Sequence, residues 1–165
     1  VQKDLKQAFK WYLLAAKNGY TPAQHQLGGM YATGDAIEKD LDKAIYWHKK
    51  AAENNNADSQ YQLATILCVV DKTKHLKKSI DLYVKAANQG NTHAQYALGL
   101  IYAYDDSIPR DYTQAYFWFH VAASMGNEKA LEHRDRIRPF VPNMERLNLY
   151  TQQIEEEIKT LRRKS

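Results

Sequence analysis

A double alanine recurs along this chain at Ala15-Ala16, Ala51-Ala52, Ala86-Ala87 and Ala122-Ala123, with spacings of 36, 35 and 36 residues. The period is not an accident of alanine content, because unrelated positions keep it. Trp11, Trp47, Leu82 and Trp118 fall in register, as do Ala8, Ala44, Ser79 and Ala115, and Gly19, Asn55, Gly90 and Gly126. A repeat of this length excludes most folds. Each copy is one supersecondary element that buries its apolar face only against its neighbours.

The clearest copy, residues 94–126, reads as an opening helix, a polar turn, a closing helix and a terminal glycine. Opening helices place Leu27, Leu63 and Leu98 in register, each followed by a small residue: Gly28, Ala64 or Gly99. A small residue beside leucine lets two helices approach closely, as antiparallel pairs on a short turn require. The expected fold is all-α, a right-handed α-α superhelix (solenoid) of antiparallel helix pairs ending in a capping helix. Its expected parts are a half repeat at 1–20, repeats at 21–56, 57–90 and 91–126, and capping helices at 127–165.

These residues carry a family resemblance. The segments Leu27 to Tyr31 and Leu98 to Tyr102 are followed by an aspartate, an in-register alanine, a tryptophan, the alanine pair and a glycine. The pattern resembles the Sel-one-like repeat (SLR), a tetratricopeptide-like (TPR-like) helical repeat of about 36 residues. Departures gather in one copy, with Leu82 for tryptophan, Asn55 before it for glycine and a one-residue deletion in the turn. The resemblance implies a repeat fold, a habit of binding other proteins and no catalytic residues. It also implies adaptor roles, often bacterial, in periplasmic, secreted or host-contact settings.

Helix ends are legible locally. Asp4 with Gln7, Asp40, and Asp111 with Gln114 stand where N-caps are expected. Gly19 and its register partners supply the left-handed residue that closes a helix, and Asn55 tolerates that conformation better than other side chains do. The weakest turn is expected at residues 71–75. After Pro139 to Pro142, Asn143 is expected to cap a last helix with Leu147, Tyr150, Ile154, Ile158 and Leu161 on one stripe, and Arg162, Arg163 and Lys164 at its end. The first helix has an apolar face suited to a preceding partner helix, so a longer parent protein is expected.

Composition narrows the function. Hydrophobic residues at 44% and charged residues at 25% are ordinary for a globular domain. The longest apolar run, Leu63 to Val70, is too short to cross a bilayer, so no membrane insertion is expected. One cysteine, Cys68, excludes an intramolecular disulfide framework and any multi-cysteine metal site. The histidines, His25, His48, His75, His93, His120 and His133, show no metal-ligand spacing. No catalytic, cofactor or metal site is expected.

The informative face lies opposite the leucines of the opening helices, where an ordinary surface helix is polar. His25, Tyr61 and Tyr96 are in register there, joined by Leu100 and Tyr104. They are expected to form a semi-apolar concave groove for a peptide or partner helix, since tyrosine offers apolar area with a polar tip. Adjacent opening helices also touch, so some of these rings are candidates for filling that contact instead. The three tryptophans are expected to be buried between the helices of a pair. A net charge of +4 favours an acidic partner. Lys72, Lys74, Lys77 and Lys78 read as a solvated cluster.

The leading expectation is a monomeric, non-enzymatic interaction scaffold. Two competing readings are a hydrolase acting on cell-wall or β-lactam-like substrates, which needs a convergent acid, base or nucleophile, and a basic nucleic-acid-binding module, which needs salt-sensitive affinity.

Overall fold

The computed structural model describes residues 2–35 and 37–142, then 144, 147, 149, 151–153, 156, 159, 160 and 163, with the side chains of 2 and 3 left aside. Among the described residues up to Phe140, seven α-helices follow one another: α1 (Gln2–Lys17), α2 (Thr21–Thr33), α3 (Leu41–Glu53), α4 (Ala57–Asn88), α5 (Thr92–Tyr104), α6 (Tyr112–Ser124) and α7 (Glu128–Ile137). A 3₁₀ turn covers Arg138–Phe140. No strand occurs among the described residues, and the fold is an all-α helical repeat solenoid. Two compact units divide it, an N-terminal one (Val1–Leu82) and a C-terminal one (Tyr83–Ser165).

The alanine pairs have a backbone role. At the end of each closing helix the chain turns through Gly19 (φ 86), Asn55 (φ 60), Gly90 (φ 84) or Gly126 (φ 94). The next amide then reaches back to the first alanine carbonyl: Tyr20 to Ala15 at 3.0 Å, Asn56 to Ala51 at 3.1 Å, Asn91 to Ala86 at 3.0 Å and Asn127 to Ala122 at 3.0 Å. The second alanine carbonyl accepts the amide of the turning residue itself, at 2.9 to 3.1 Å in all four copies. This double closure satisfies carbonyls that a helix end otherwise leaves orphaned.

A glutamine adds a third bond. Gln24, Gln60 and Gln95 stand in register, and each side-chain amide donates to the second alanine carbonyl of the preceding helix, Ala16, Ala52 or Ala87, at 3.3, 3.3 and 3.1 Å. The start of each opening helix is thereby tied to the end of the closing helix before it. N-caps open the next helices, Asn91 and Asn127 at these junctions and Asp40 and Asp111 at the turns within pairs; each accepts from the amide three residues on, at 2.8 to 2.9 Å.

Within a pair, the small residue after leucine is a socket. A Cβ added at Gly99 would lie 2.5 Å from the Phe119 ring, and one at Gly28 would lie 2.8 Å from His48. Phe119 and His48 occupy the same register position, and both are fully buried. The helices meet closely because a ring, not a methyl group, fills the space.

Three expectations are corrected. Asp4 is not an N-cap, because α1 already begins at Gln2 and Asp4 lies in its first turn, where a carboxylate complements the helix dipole. The turn at 71–75 shrinks to Asp71 alone, with φ −159 and ψ 94. Its carboxylate accepts from the Lys74 amide at 3.0 Å, so helix resumes at once. The tryptophans are not uniformly buried: Trp118 is 5% exposed but Trp11 is 64% exposed. Trp118 lines a cavity with Val84 and Asn88 of the preceding closing helix, and Trp47 packs on the Ala16, Ala23 and Leu27 cluster. Trp118 and Trp47 thus have neighbours on the preceding closing helix. Of the expected last helix, Leu147 is described and buried. Asn143, Tyr150, Ile154, Ile158, Leu161, Arg162 and Lys164 lie outside the described residues.

Two substitutions on adjacent residues separate socket from propensity. Gly28→Ala meets the His48 ring and is expected to lower stability by about 1–3 kcal/mol. Gly29→Ala meets nothing within 4 Å and is expected to raise it by up to about 1 kcal/mol. Urea unfolding of both variants reads the opposite signs. At the closing turn, Asn55→Ala is expected to lose about 1–2 kcal/mol to left-handed strain, while Asn55→Gly stays near wild type. The same unfolding curves decide it.

Candidate interaction faces on the opening helices

The N-terminal unit carries His25 on α2 and Tyr61 on the first half of α4, both half-buried. His25 Nδ1 lies 2.8 Å from Ser59 Oγ, so the expected face residue is tied to the next opening helix by a hydrogen bond. His48 Nδ1 lies 3.4 Å from the same oxygen, and the two imidazoles stand 5.5 Å apart at 59°. His48 is 1% exposed, and its Nε2 is buried with no hydrogen-bond partner. Burial first, and the charge of His25 second, push its pKa down to about 4. Close to neutral pH this ring is uncharged.

The C-terminal unit carries Tyr96, Leu100 and Tyr104 along α5. Tyr96 and Leu100 are half-buried and Tyr104 is 39% exposed. The two tyrosines meet around a residue that sequence reasoning left scattered. His133 of α7 has Tyr104 Oη 3.0 Å from its Nδ1, with ring centroids 5.4 Å apart from Tyr104 and 5.8 Å from Tyr96. Its other neighbour is Phe119, stacked at 5.2 Å and 16°. Burial, then nearby Arg136, lowers the His133 pKa, while Glu132 acts the other way. The hydrogen bond between the Tyr104 hydroxyl and His133 Nδ1 fixes the Tyr104 ring.

His133 and Ser59 are the residues that the spacing missed. The register partners of His133 are Gln26, Gln62 and Ala97, so periodicity holds no signal for an aromatic ring there. Ser59 is fully buried, and its position on the opening helix holds no signal of the two histidines it meets. Tyrosines that touch a neighbouring opening helix are therefore partly enclosed and partly wet.

Other chemistry is sparse. Among the described residues no group of three or more His, Cys, Asp and Glu could hold a metal ion. No described helix is long and apolar enough to cross a membrane. Cys68 is a free thiol, half-buried. Lys72, Lys74, Lys77 and Lys78 are all exposed.

Comparison with known proteins agrees with the repeat geometry. The family model described as Sel1 repeat matches residues 1–20, 21–56, 57–91 and 92–127. A crystal structure of a Sel1 repeat protein from Oxalobacter formigenes superposes with a TM-score of 0.75 at 29% identity, over 94% of this chain and 65% of that one. A second, of a protective antigen displaying an SLR fold in uropathogenic Escherichia coli strains, has a TM-score of 0.50 at 25% identity, over 91% of this chain and 41% of that one. The chain thus spans less than two thirds of either. No curated protein sequence matches it. Sel1 repeats are helical scaffolds that generally mediate protein interactions, and with four matched copies this chain belongs to the Sel1 repeat family.

Proposed function

We propose that this chain is a non-enzymatic interaction scaffold that holds a peptide or partner helix along its opening helices. His25 and Tyr61 serve the N-terminal unit, and Tyr96, Leu100 and Tyr104 serve the C-terminal one. One observation carries the reading: these five side chains keep solvent access on a face where a surface helix is ordinarily charged. Family membership supports a scaffold role, and solenoids offer extended surface for it. The net charge of +4 favours an acidic partner.

The rings are suited to this work. A half-buried tyrosine is already held by its neighbours, so a partner that covers the remaining area loses little side-chain entropy. Tyr96 rests on Phe119 and His133, and Tyr104 is hydrogen-bonded, so both present a fixed edge.

The expected outcome for Tyr61→Ala combined with Tyr96→Ala is loss of a partner captured by the wild-type chain, with affinity down at least about tenfold. Helicity should be unchanged and the melting temperature lowered by only a few degrees, since ring pairs contribute about 0.5–1.5 kcal/mol. Calorimetric titration with the captured partner, beside circular dichroism of the variant, measures both. Undiminished affinity would remove these faces from the binding surface.

A further inference from the structure

The socket position differs chemically along the chain. Its occupant is Phe119 beside Gly99 in the C-terminal unit, but His48 beside Gly28 in the N-terminal unit. The residue beside it differs as well, because the register partner of Ser59 is Ala94. The N-terminal unit therefore puts a titratable ring into a socket shaped by Gly28, with a hydroxyl between it and a second imidazole.

The hydroxyl constrains the protons. Ser59 has one proton to donate and two ring nitrogens within reach. With both rings neutral, it donates to one Nδ1 and accepts from the other. A protonated Nε2 on His48 would bury a donor with no acceptor, so the arrangement of lowest cost protonates its Nδ1. The order is then His48 Nδ1–H to Ser59 Oγ, and Ser59 O–H to His25 Nδ1, leaving the N–H of His25 on Nε2.

An added proton finds no good place in this chain of bonds. On His48 it creates a buried N–H and a buried charge together. On His25 Nδ1 it removes the acceptor of the Ser59 hydroxyl. The charged surroundings offer little compensation. From α2 the titratable group facing His48 is His25, which carries the same sign of charge. From α4 it meets the Ser59 hydroxyl, and the adjacent Asp58 is exposed. On α3 itself Lys49 lies 4.0 Å from Glu53, and Lys50 sits over the Tyr46 ring.

We propose that the His25–Ser59–His48 cluster is an acid-sensitive latch: protonation uncouples α2 from α3 and the start of α4, and the face bearing His25 and Tyr61 is released. The regulatory half of this rests on the reading of that face as partner-binding, whereas the structural half does not. The direction follows from linkage. His48 titrates near 6.5 when unfolded and about 4 when folded, so the unfolded chain binds the extra proton between those values. Its contribution is complete above about pH 6.5 and is lost progressively as pH falls towards 4.

The test uses the full chain. Amide hydrogen exchange, corrected for intrinsic rates, is followed from pH 7.5 to 4 for wild type, His48→Phe and Ser59→Ala. His48→Phe installs the ring found at position 119 and keeps the socket filled. Wild-type protection across α2 and α3 is expected to fall about a hundredfold more than in His48→Phe. An equal fall in both overturns the latch. Should His48→Phe fail to fold, the His48 ring is titrated by NMR in the wild-type chain instead. A midpoint near 6.5 with α2 and α3 still protected overturns the proposal, and a midpoint below 5 with concurrent opening supports it.

A captured partner tests the rest. Elution at pH 5 from wild type but not from His48→Phe supports regulated release, and equal elution from both overturns it. Retention at pH 7.5 that is indifferent to Tyr61→Ala removes the face reading while leaving the latch standing.

Discussion

The structure depends on how each closing helix ends. Two backbone bonds and one glutamine amide converge on the two carbonyls of an alanine pair, and the chain leaves through a left-handed residue. That junction satisfies polar groups that would otherwise be buried unpaired, and it sets where the next opening helix starts. Because it recurs four times in the backbone, the repeat is preserved even where side chains drift, as at Asn55 and Leu82.

The drift is where the individual character of the protein lies. Small residues at Gly28 and Gly99 keep sockets open, and what fills them is free to change from phenyl to imidazole. A phenyl ring only packs, whereas an imidazole brings a proton equilibrium into the same volume. Partly exposed rings of the opening helices do two jobs. They fill the contact between neighbouring repeats and leave one edge to solvent, as Tyr104 does while bonded to His133.

Much of this was legible in the chain. The period, the helix pairs, the closing glycines, the caps at Asp40 and Asp111 and the family all follow from local chemistry repeated at a fixed interval. The register of His25, Tyr61, Tyr96, Leu100 and Tyr104 was likewise legible, since residues three, four and seven apart share a face. The glutamines were in view as well, in the dipeptides Ala23-Gln24, Ser59-Gln60 and Ala94-Gln95, but their acceptors lie eight residues back on another helix.

By itself the sequence determined where the closing helices end and which residues share a face, because those depend on neighbours within a turn or two. Tertiary structure alone decided what each face meets. It left Trp11 in solvent and enclosed Trp118, brought His133 between Tyr96 and Tyr104, and placed one serine hydroxyl between two histidines. Burial and hydrogen bonding across helices depend on which helix arrives opposite, and spacing along a single helix carries no record of that.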